Sequence, residues 1–569
     1  MNTYTLPEGN IINQPETVSL IVRRCEAINR YIQNNPNIYV GPTLVGEFLI
    51  IYVNENNVAD VISAFGVSCI NAYATVFGLA DKRNLESAGI IRVHNHPFLA
   101  LRGQGVLIGF VDTGIDYTNA AFKYEDGTTK IRFIWDQEAN GAIPLGFGFG
   151  AEYTRNDINQ ALRSDNPFQV VPRTDNDGHG TFLASVAAGR ENNEYIGAAP
   201  DSEIIMVKLK KAGRFYLNKY LVPPTQENVY ESSCLMLGIE YIFRKSQELG
   251  RPVAICIGLG TNFGGHDGFS PFEEYLSGLS HRSGVCICTP AGNESQTRRH
   301  FQGHIRNTGM TDNIDIRVGE QGGDIYLSLW SAASDRLSVS LKSPTGEIVR
   351  QIPARTGTIF TTRLILENAV ISVEYFFPVP GSGGQHTAIR IKNATPGIWT
   401  ITAYGDSILD GLYHAWLPIT GLIAPDIEFL IPSPNYTIVV PGTAIGVITC
   451  GAYDSRNNSL YASSSWGPTR LPSMAPDLAA PGVRVGGAEL YGYGEMTGTS
   501  VATAITTGAS ALLLQWGIVR RNDVSMNTYV IKSYFIRGCS RDPWNIYPNN
   551  QWGYGRLNLF RTFDMMREV

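Results

Sequence analysis

The stretch GVLIGFVDTGID, residues 105–116, decides how the rest of the chain is read. An unbroken apolar run from Val106 to Val111 ends in Asp112, and Gly114 follows two positions later. A half-exposed strand alternates apolar and polar residues, so an unbroken run of this length fits a strand buried on both faces, as in parallel sheets. The carboxyl ends of such strands are where open α/β sheets place functional groups, which makes Asp112 a first candidate.

Working outward, SEIIMVKLK (202–210), PVAICIGLG (252–260) and GVCICTPAG (284–292) read as further buried strands. Between them TFLASVAAG (181–189), SSCLMLGIEYIFRKSQELG (232–250) and FEEYLSGLSHRS (272–283) have helical spacing. Strands alternating with helices predict an α/β fold, a parallel sheet with helices on both faces. Upstream, residues 1–80 read as a small α+β unit in the order helix, strand, helix, strand: VSLIVRRCEAINRYIQ (18–33), GEFLIIYV (46–53), NVADVISAFGV (57–67) and CINAYATVFGL (69–79). From about 305 to 435 the pattern changes to short alternating segments broken by turn residues, such as DIYLSLWS (324–331) and GIWTITAYGD (397–406), which predicts an all-β sandwich. Strand and helix patterns return at IGVITCGAYD (445–454) and GTSVATAITTGASALLLQWG (498–517). The expected organisation is therefore a unit over 1–80, an α/β domain over 81–304 and 436–569, and a β domain inserted at 305–435.

Composition agrees with a turn-rich globular protein. Of 569 residues only 17% are charged, while 59 are Gly and 30 are Pro. The net charge of -6 and the lack of a basic tract exclude phosphate-backbone tracking, so no nucleic-acid partner is expected. The N-terminus lacks the charged and apolar regions of a secretory signal, and no apolar run approaches the ~18 residues of a membrane span. A cytoplasmic protein, or one released by a route other than ordinary secretion, with no membrane partner, is expected. The eight cysteines form no CxxC pair and sit mostly in apolar runs, which fits buried reduced thiols.

Three short motifs stand in order: VDTGID with Asp112, DNDGHGT (175–181) with His179, and GTSVATA (498–504) with Ser500 at the start of an apolar helix. A serine hydroxyl is a poor nucleophile at neutral pH. It needs a base within hydrogen-bond reach, and the base needs a carboxylate to fix its tautomer and stabilise the imidazolium. These motifs supply all three groups, and a helix N-terminus at Ser500 offers N–H groups to a developing negative charge. Each motif alone is weak. The order Asp, His, Ser together with the flanking segments is strong.

On these residues the chain resembles the subtilisin-like serine protease superfamily, peptidase S8. TPAGNES (289–295), SSSWGPTR (463–470) and PDLAAPGV (476–483) extend the likeness. The resemblance implies a serine endopeptidase with catalytic Asp112, His179 and Ser500, and Asn293 as side-chain donor of the oxyanion hole. It implies a substrate-binding cleft edge at Gly258, Leu259 and Gly260 in CIGLGTNFGG (256–265). One departure is Ala504, where the family often has proline. Within the superfamily, the long β insertion and NHPFLALRGQGVLIGFVDTGIDY (95–117) look like the clostridial Csp germination proteases, which combine a prodomain, a subtilase core and a jelly-roll insertion. That likeness implies a protein substrate, the zymogen of a spore-cortex lytic enzyme. It also makes residues 1–80 an inhibitory prodomain bound in the cleft and released by self-cleavage near Leu79 or Ala80. The competing reading is a pseudoprotease or prodomain-inhibited subtilase that acts as a signalling or scaffold protein. The intact set of three residues disfavours the former.

Other candidates have plainer readings. Asp116 is taken as structural. His94 and His96 lack an acidic or histidine cluster and read as packing or solvated residues. His266, His281, His300 and His304 read as surface residues. No metal or other cofactor is assigned: family members bind structural calcium in loops, but DTGID and TDNDG are too short to define a site. The expected state is a monomer.

Overall fold

The computed structural model describes Ile12 and residues 14–24, 26–35, 38–65, 76–77, 85–191, 195–471 and 473–567. The N-terminal unit holds strands β1 (Thr17–Arg23), β2 (Tyr39–Leu44) and β3 (Phe48–Asn54), antiparallel in the order β1-β3-β2. Helices α1 (Glu26–Asn34) and α2 (Val58–Phe65) belong to the same unit. The predicted first helix is thus corrected: its first half is a strand. Residues 17–22 are buried without a break, and the β-branched run TVSLIV favours strand over helix, a choice that periodicity alone cannot make for so short a segment. Of the segment 69–79 only strand β4 (Val76–Phe77) is described, and the predicted cleavage residues Leu79 and Ala80 lie outside the described residues.

The central sheet has nine strands. Its spine runs β5 (Leu107–Asp112), β6 (Ile131–Asp136), β7 (Ala151–Thr154), β8 (Glu203–Lys208), β10 (Val253–Ile257), β11 (Val285–Pro290) and β23 (Ile448–Asp454). In space the order is β24-β23-β11-β10-β5-β8-β6-β7, where β24 is Ser459–Leu460, and β25 (Leu478–Pro481) pairs with β23. Only the β6–β7 and β23–β24 pairs are antiparallel. Every residue of β5, β10 and β11 is buried, which explains their unbroken apolar sequences.

Successive residues of β5 feed opposite faces. Ile108 and Phe110 pack with helices α3 (His179–Ala188) and α6 (Thr499–Leu514), the helices that start at His179 and just before Ser500. Leu107 and Val111 pack with α4 (Ser232–Glu248) and, in the same continuous core, with α5 (Pro271–Ser280). That second core does not stop at the helices: Val18, Leu20, Leu49 and Ile51 of the N-terminal unit belong to it. Each such side chain contributes about 1.5–3 kcal/mol when fully buried. The N-terminal unit is therefore sealed to the helices rather than tethered. Polar contacts add to this, including Ser19 to Glu231, Tyr216 to the Ser19 carbonyl, and Arg244 Nη2 to the Thr43 carbonyl at 3.0 Å. Strand β4 pairs antiparallel with β9 (Tyr230–Glu231), immediately before α4.

The helix continuing from α6 to Val519 is long and apolar enough to cross a membrane by composition alone, but 89% of that window is buried inside the protein. It is the core helix of this fold.

Between β11 and β23 lie two antiparallel sheets of six and five strands, spanning His300 to Phe429. Strands such as Gly397–Ser407 alternate buried and half-buried residues, and the two inner faces enclose a core around Trp399, Ile401, Leu327 and Ile389. This is the inserted β domain. His266 and His300 are corrected from surface to buried, each 1% exposed. They stack at the junction of the insertion with the α/β domain: the His266 ring lies 4.1 Å from Trp416, and His300 Nε2 is 3.1 Å from His414 Nδ1. Scattered sequence positions gave no hint of this shared aromatic layer. His281 and His304 are exposed, and His94 is buried, with Nε2 2.9 Å from the Ala198 carbonyl. All six described cysteines are free and buried.

Candidate active site

Asp112 is the last residue of β5, at the carboxyl end of the sheet. Its Oδ1 accepts hydrogen bonds from the Thr113 N–H at 2.8 Å and from His179 Nδ1 at 2.8 Å. With the Nδ1 proton held there, the Nε2 lone pair points at the serine: Nε2 to Ser500 Oγ is 3.3 Å. That is long for an activated pair; contacts of this kind tighten in the Michaelis complex. Asp112, His179 and Ser500 are 1%, 4% and 0% exposed, so charges here interact in a poorly screened medium.

The approach of β5 and α3 depends on glycine. A β-carbon on Gly180 would sit 2.2 Å from the Gly114 carbonyl oxygen. The Gly180 N–H donates to Thr113 Oγ1 at 2.9 Å. Asp175 caps the turn before His179: Oδ1 accepts from the Gly178 N–H at 2.9 Å, and Oδ2 from the Thr181 N–H at 3.0 Å. Thr181 Oγ1 in turn accepts from the Asp116 N–H at 2.8 Å, so Asp116 buttresses the turn.

Asn293 follows β11. Its Oδ1 accepts from the Thr499 N–H at 3.1 Å and from Thr499 Oγ1 at 3.2 Å. These two contacts fix the Asn293 side chain at the first turn of α6, which also carries the Ser500 N–H, and leave its Nδ2 donors free of Thr499. A side-chain amide and a helix N-terminus converging beside an activated hydroxyl can stabilise the oxyanion of acyl transfer.

A cavity of about 310 Å³ opens beside Asn293. Gly260, Gly292 and Asn293 form one side, Glu294 and Thr297 another, and Ile419 and Thr420 of the inserted segment a third. The three predicted cleft-edge residues separate here. Gly260 lines the cavity, Leu259 buries its side chain in the core, and Gly258 lies against Asp112 and His179. Glu294, Thr297, Ile419 and Thr420 were missed. Glu294 adjoins Asn293 in sequence and could have been found. Ile419 and Thr420 are more than a hundred residues away and carry no local motif. Among the described residues no group of three or more His, Cys, Asp or Glu side chains could hold a metal ion.

The subtilase family, peptidase S8, matches residues 103–222 and 394–555. The gap spans most of the insertion. The CspB protease of Clostridium perfringens superposes with a TM-score of 0.75 at 32% identity, covering 85% of this chain and 97% of that one. Two curated relatives match over shorter stretches. The serine protease AprX of Bacillus subtilis is 31% identical over 149 residues, and the subtilase-type proteinase RRT12 of Saccharomyces cerevisiae is 31% identical over 109. These stretches are 22% and 18% of this chain, and only 31% and 21% of the relatives' own lengths. A serine, a histidine and an aspartate in hydrogen-bonded sequence, a mostly parallel sheet, and a likeness spanning nearly all of a solved protease lead to one conclusion: the chain belongs to the subtilase family.

Proposed function

We propose that this chain is a serine endopeptidase that cleaves a protein substrate through an acyl-enzyme at Ser500. His179 takes the Ser500 proton as general base and returns it to the leaving amine. Asp112 holds the tautomer and stabilises the imidazolium. Asn293 and the α6 N-terminus receive the oxyanion. The observation that carries this reading is the continuous line from Asp112 Oδ1 through His179 to Ser500 Oγ, at 2.8 and 3.3 Å. A fluorophosphonate probe tests it: labelling of wild type that is absent in Ser500→Ala and His179→Ala supports it, and an unlabelled wild type with a cleaved N-terminus means that the retained prodomain blocks the cleft. An unlabelled wild type whose N-terminus is intact would instead favour the pseudoprotease reading.

Residues 1–80 are, in this proposal, a prodomain that stays bound in the cleft after self-cleavage near Leu79 or Ala80. The β4–β9 pairing supports it, because Tyr230 of β9 lines a recess with Thr113 and Asp177, next to the catalytic histidine. The shared core supports retention after cleavage. N-terminal sequencing of the purified protein checks this: wild type begins at Ala80 or Asp81 and retains a bound fragment, and Ser500→Ala keeps Met1. Likeness to a Csp protease supports a narrow substrate, the zymogen of a spore-cortex lytic enzyme, and a cytoplasmic or spore-associated site of action.

A further inference from the structure

The junction between the inserted domain and the α/β domain holds a further cavity, of about 100 Å³ and open to solvent, apart from the cleft. One wall is the outer face of the six-stranded inserted sheet: Tyr326 and Trp330 from strand Gly323–Ser331, Phe376 from Val370–Phe376, and His386 and Arg390 from Gln385–Ala394. The inner face of the same strands, with Leu327, Val373 and Ile389, fills the sandwich core. The other wall is Lys219 and Tyr220, where the short helix Arg214–Lys219 ends, and segment 263–271, which continues from the cleft edge at Gly258 to Gly260. Rings of the two domains pack across the gap. Tyr220 lies 4.4 Å from Phe263 and 5.5 Å from Tyr326, and Phe263 lies 5.3 Å from Tyr326. None of the lining residues belongs to 1–80 or to the catalytic set.

Aromatic walls of this kind can hold an apolar body or a cation. The charges decide between the two. Glu374 pairs with Arg390 at 2.9 Å, and Asp267 pairs with Arg470, whose guanidinium lies 5.2 Å from the centre of the Trp330 ring. Lys219 adds a third cation to the same walls, so three positive charges face two negative ones. His386 registers the excess. Burial first, and then the charges of Lys219, Arg390 and Arg470, push its pKa down to about 3. Its neutral ring stacks on Trp330 at 4.5 Å. Ser328 Oγ accepts from Trp330 Nε1 at 2.8 Å and donates to His386 Nε2 at 3.0 Å, so these polar groups satisfy one another. A cation entering the slot is repelled, and an anion is attracted, in a poorly screened setting.

Volume limits what enters. An apolar cavity of ~150 Å³ takes benzene, so this one takes a tail of about three or four carbons. We propose that the junction cavity is a binding site for a short-chain monocarboxylate, with the carboxylate at Lys219 and the apolar tail between the rings of the two domains. Such a ligand touches both domains at once and holds segment 263–271 against the inserted sheet. Binding here is independent of the endopeptidase reading and of whether residues 1–80 occupy the cleft.

The test titrates the full Ser500→Ala chain with sodium valerate, valeramide and sodium acetate by calorimetry at matched ionic strength. Valeramide has the tail without the charge, and acetate has the charge without the tail. Valerate is expected to bind more tightly than either by about tenfold or more. Adding Lys219→Met, which keeps the length of the side chain and removes its charge, is expected to weaken valerate by about tenfold. Ala388 also lines the cavity, and Ala388→Leu, which fills the slot, is expected to abolish binding. A thermal melt of each variant confirms folding, and valerate is expected to raise the melting temperature of the parent chain but not that of Lys219→Met. No detectable valerate binding overturns the inference. So does equal binding of valerate and valeramide, equal binding of valerate and acetate, or valerate binding unchanged in both variants.

Discussion

Asn293 shows how much one side chain is asked to do. Its Oδ1 is anchored on Thr499, so its amide protons are presented without any cost of reorganisation during reaction. Removing one such donor costs about 2.7–4 kcal/mol of transition-state stabilisation. Asn293→Ala is expected to lower kcat by about 100- to 1000-fold, with KM and melting temperature little changed. Steady-state kinetics on a peptide substrate check it, and a loss seen mainly in KM would show that Asn293 binds the ground state instead. Residue identity at Asp112, His179, Asn293 and Ser500 was readable because each sits in a short motif whose glycines and small residues are needed for close approach. Glu294 was equally near in sequence, yet its carboxylate acquires meaning only once a cavity is seen in front of it.

At the level of elements, the site depends on how closely strand ends and helix starts converge. Gly258 follows β10 and lies against both Asp112 and His179. A β-carbon there would meet Leu183 Cδ1 at 2.4 Å, Asp112 Oδ2 at 2.9 Å and His179 Cε1 at 3.1 Å. Overpacking of this kind costs about 1–3 kcal/mol in stability. The displaced groups are the base and its carboxylate, so Gly258→Ala is expected to lose far more activity than stability. A melt shifted by a few degrees, together with a kcat drop of more than about tenfold, is the expected pair of results. Unchanged kcat would mean that the turn yields without moving His179. The helix predicted over 18–33 shows the opposite limit of local reading. Its first half forms β1, because pairing with β3 and burial against α4 reward a β-branched strand that no helical period could reveal.

Across the whole molecule, the insertion and the α/β domain meet at a layer of neutral imidazoles. His266 lies between the Ile438 carbonyl, 2.7 Å from Nδ1, and the Asn262 carbonyl, 3.2 Å from Nε2, with its ring stacked on Trp416; the neutral ring donates to one of them, and the shorter contact assigns the proton to Nδ1. Burial lowers its pKa from 6.5 to about 4, with Arg470 adding to the drop and Asp267 opposing it. His300 and His414 of the same layer are lowered too, also by burial. A lowered folded pKa means that the unfolded chain binds more protons. The stabilising contribution of His266 is then complete above pH 6.5 and is lost as pH falls through 6.5 toward about 4. Glu273, raised to about 7 by burial, acts with the opposite sign over part of this range, so a variant comparison isolates the histidine. His266→Phe keeps the stack and removes both carbonyl contacts, at a cost of about 1–3 kcal/mol near neutrality. The melting-temperature gap between wild type and His266→Phe is expected to be widest at about pH 7 and to narrow toward about pH 4. A gap that stays constant with pH would mean that His266 does not titrate with folding.

Local residue patterns carry the architecture and the order of the reacting groups. Buried parallel strands must be apolar throughout, and glycine must stand where backbones touch, so both leave marks that can be read one segment at a time. They carry the alternation of the inserted sheets for the same reason. Long-range packing alone makes β1 a strand, buries His266 and His300, and sets Thr420 beside Glu294. Each of these depends on contacts between segments far apart in the chain, and a contact of that kind leaves no period and no motif in either partner's sequence.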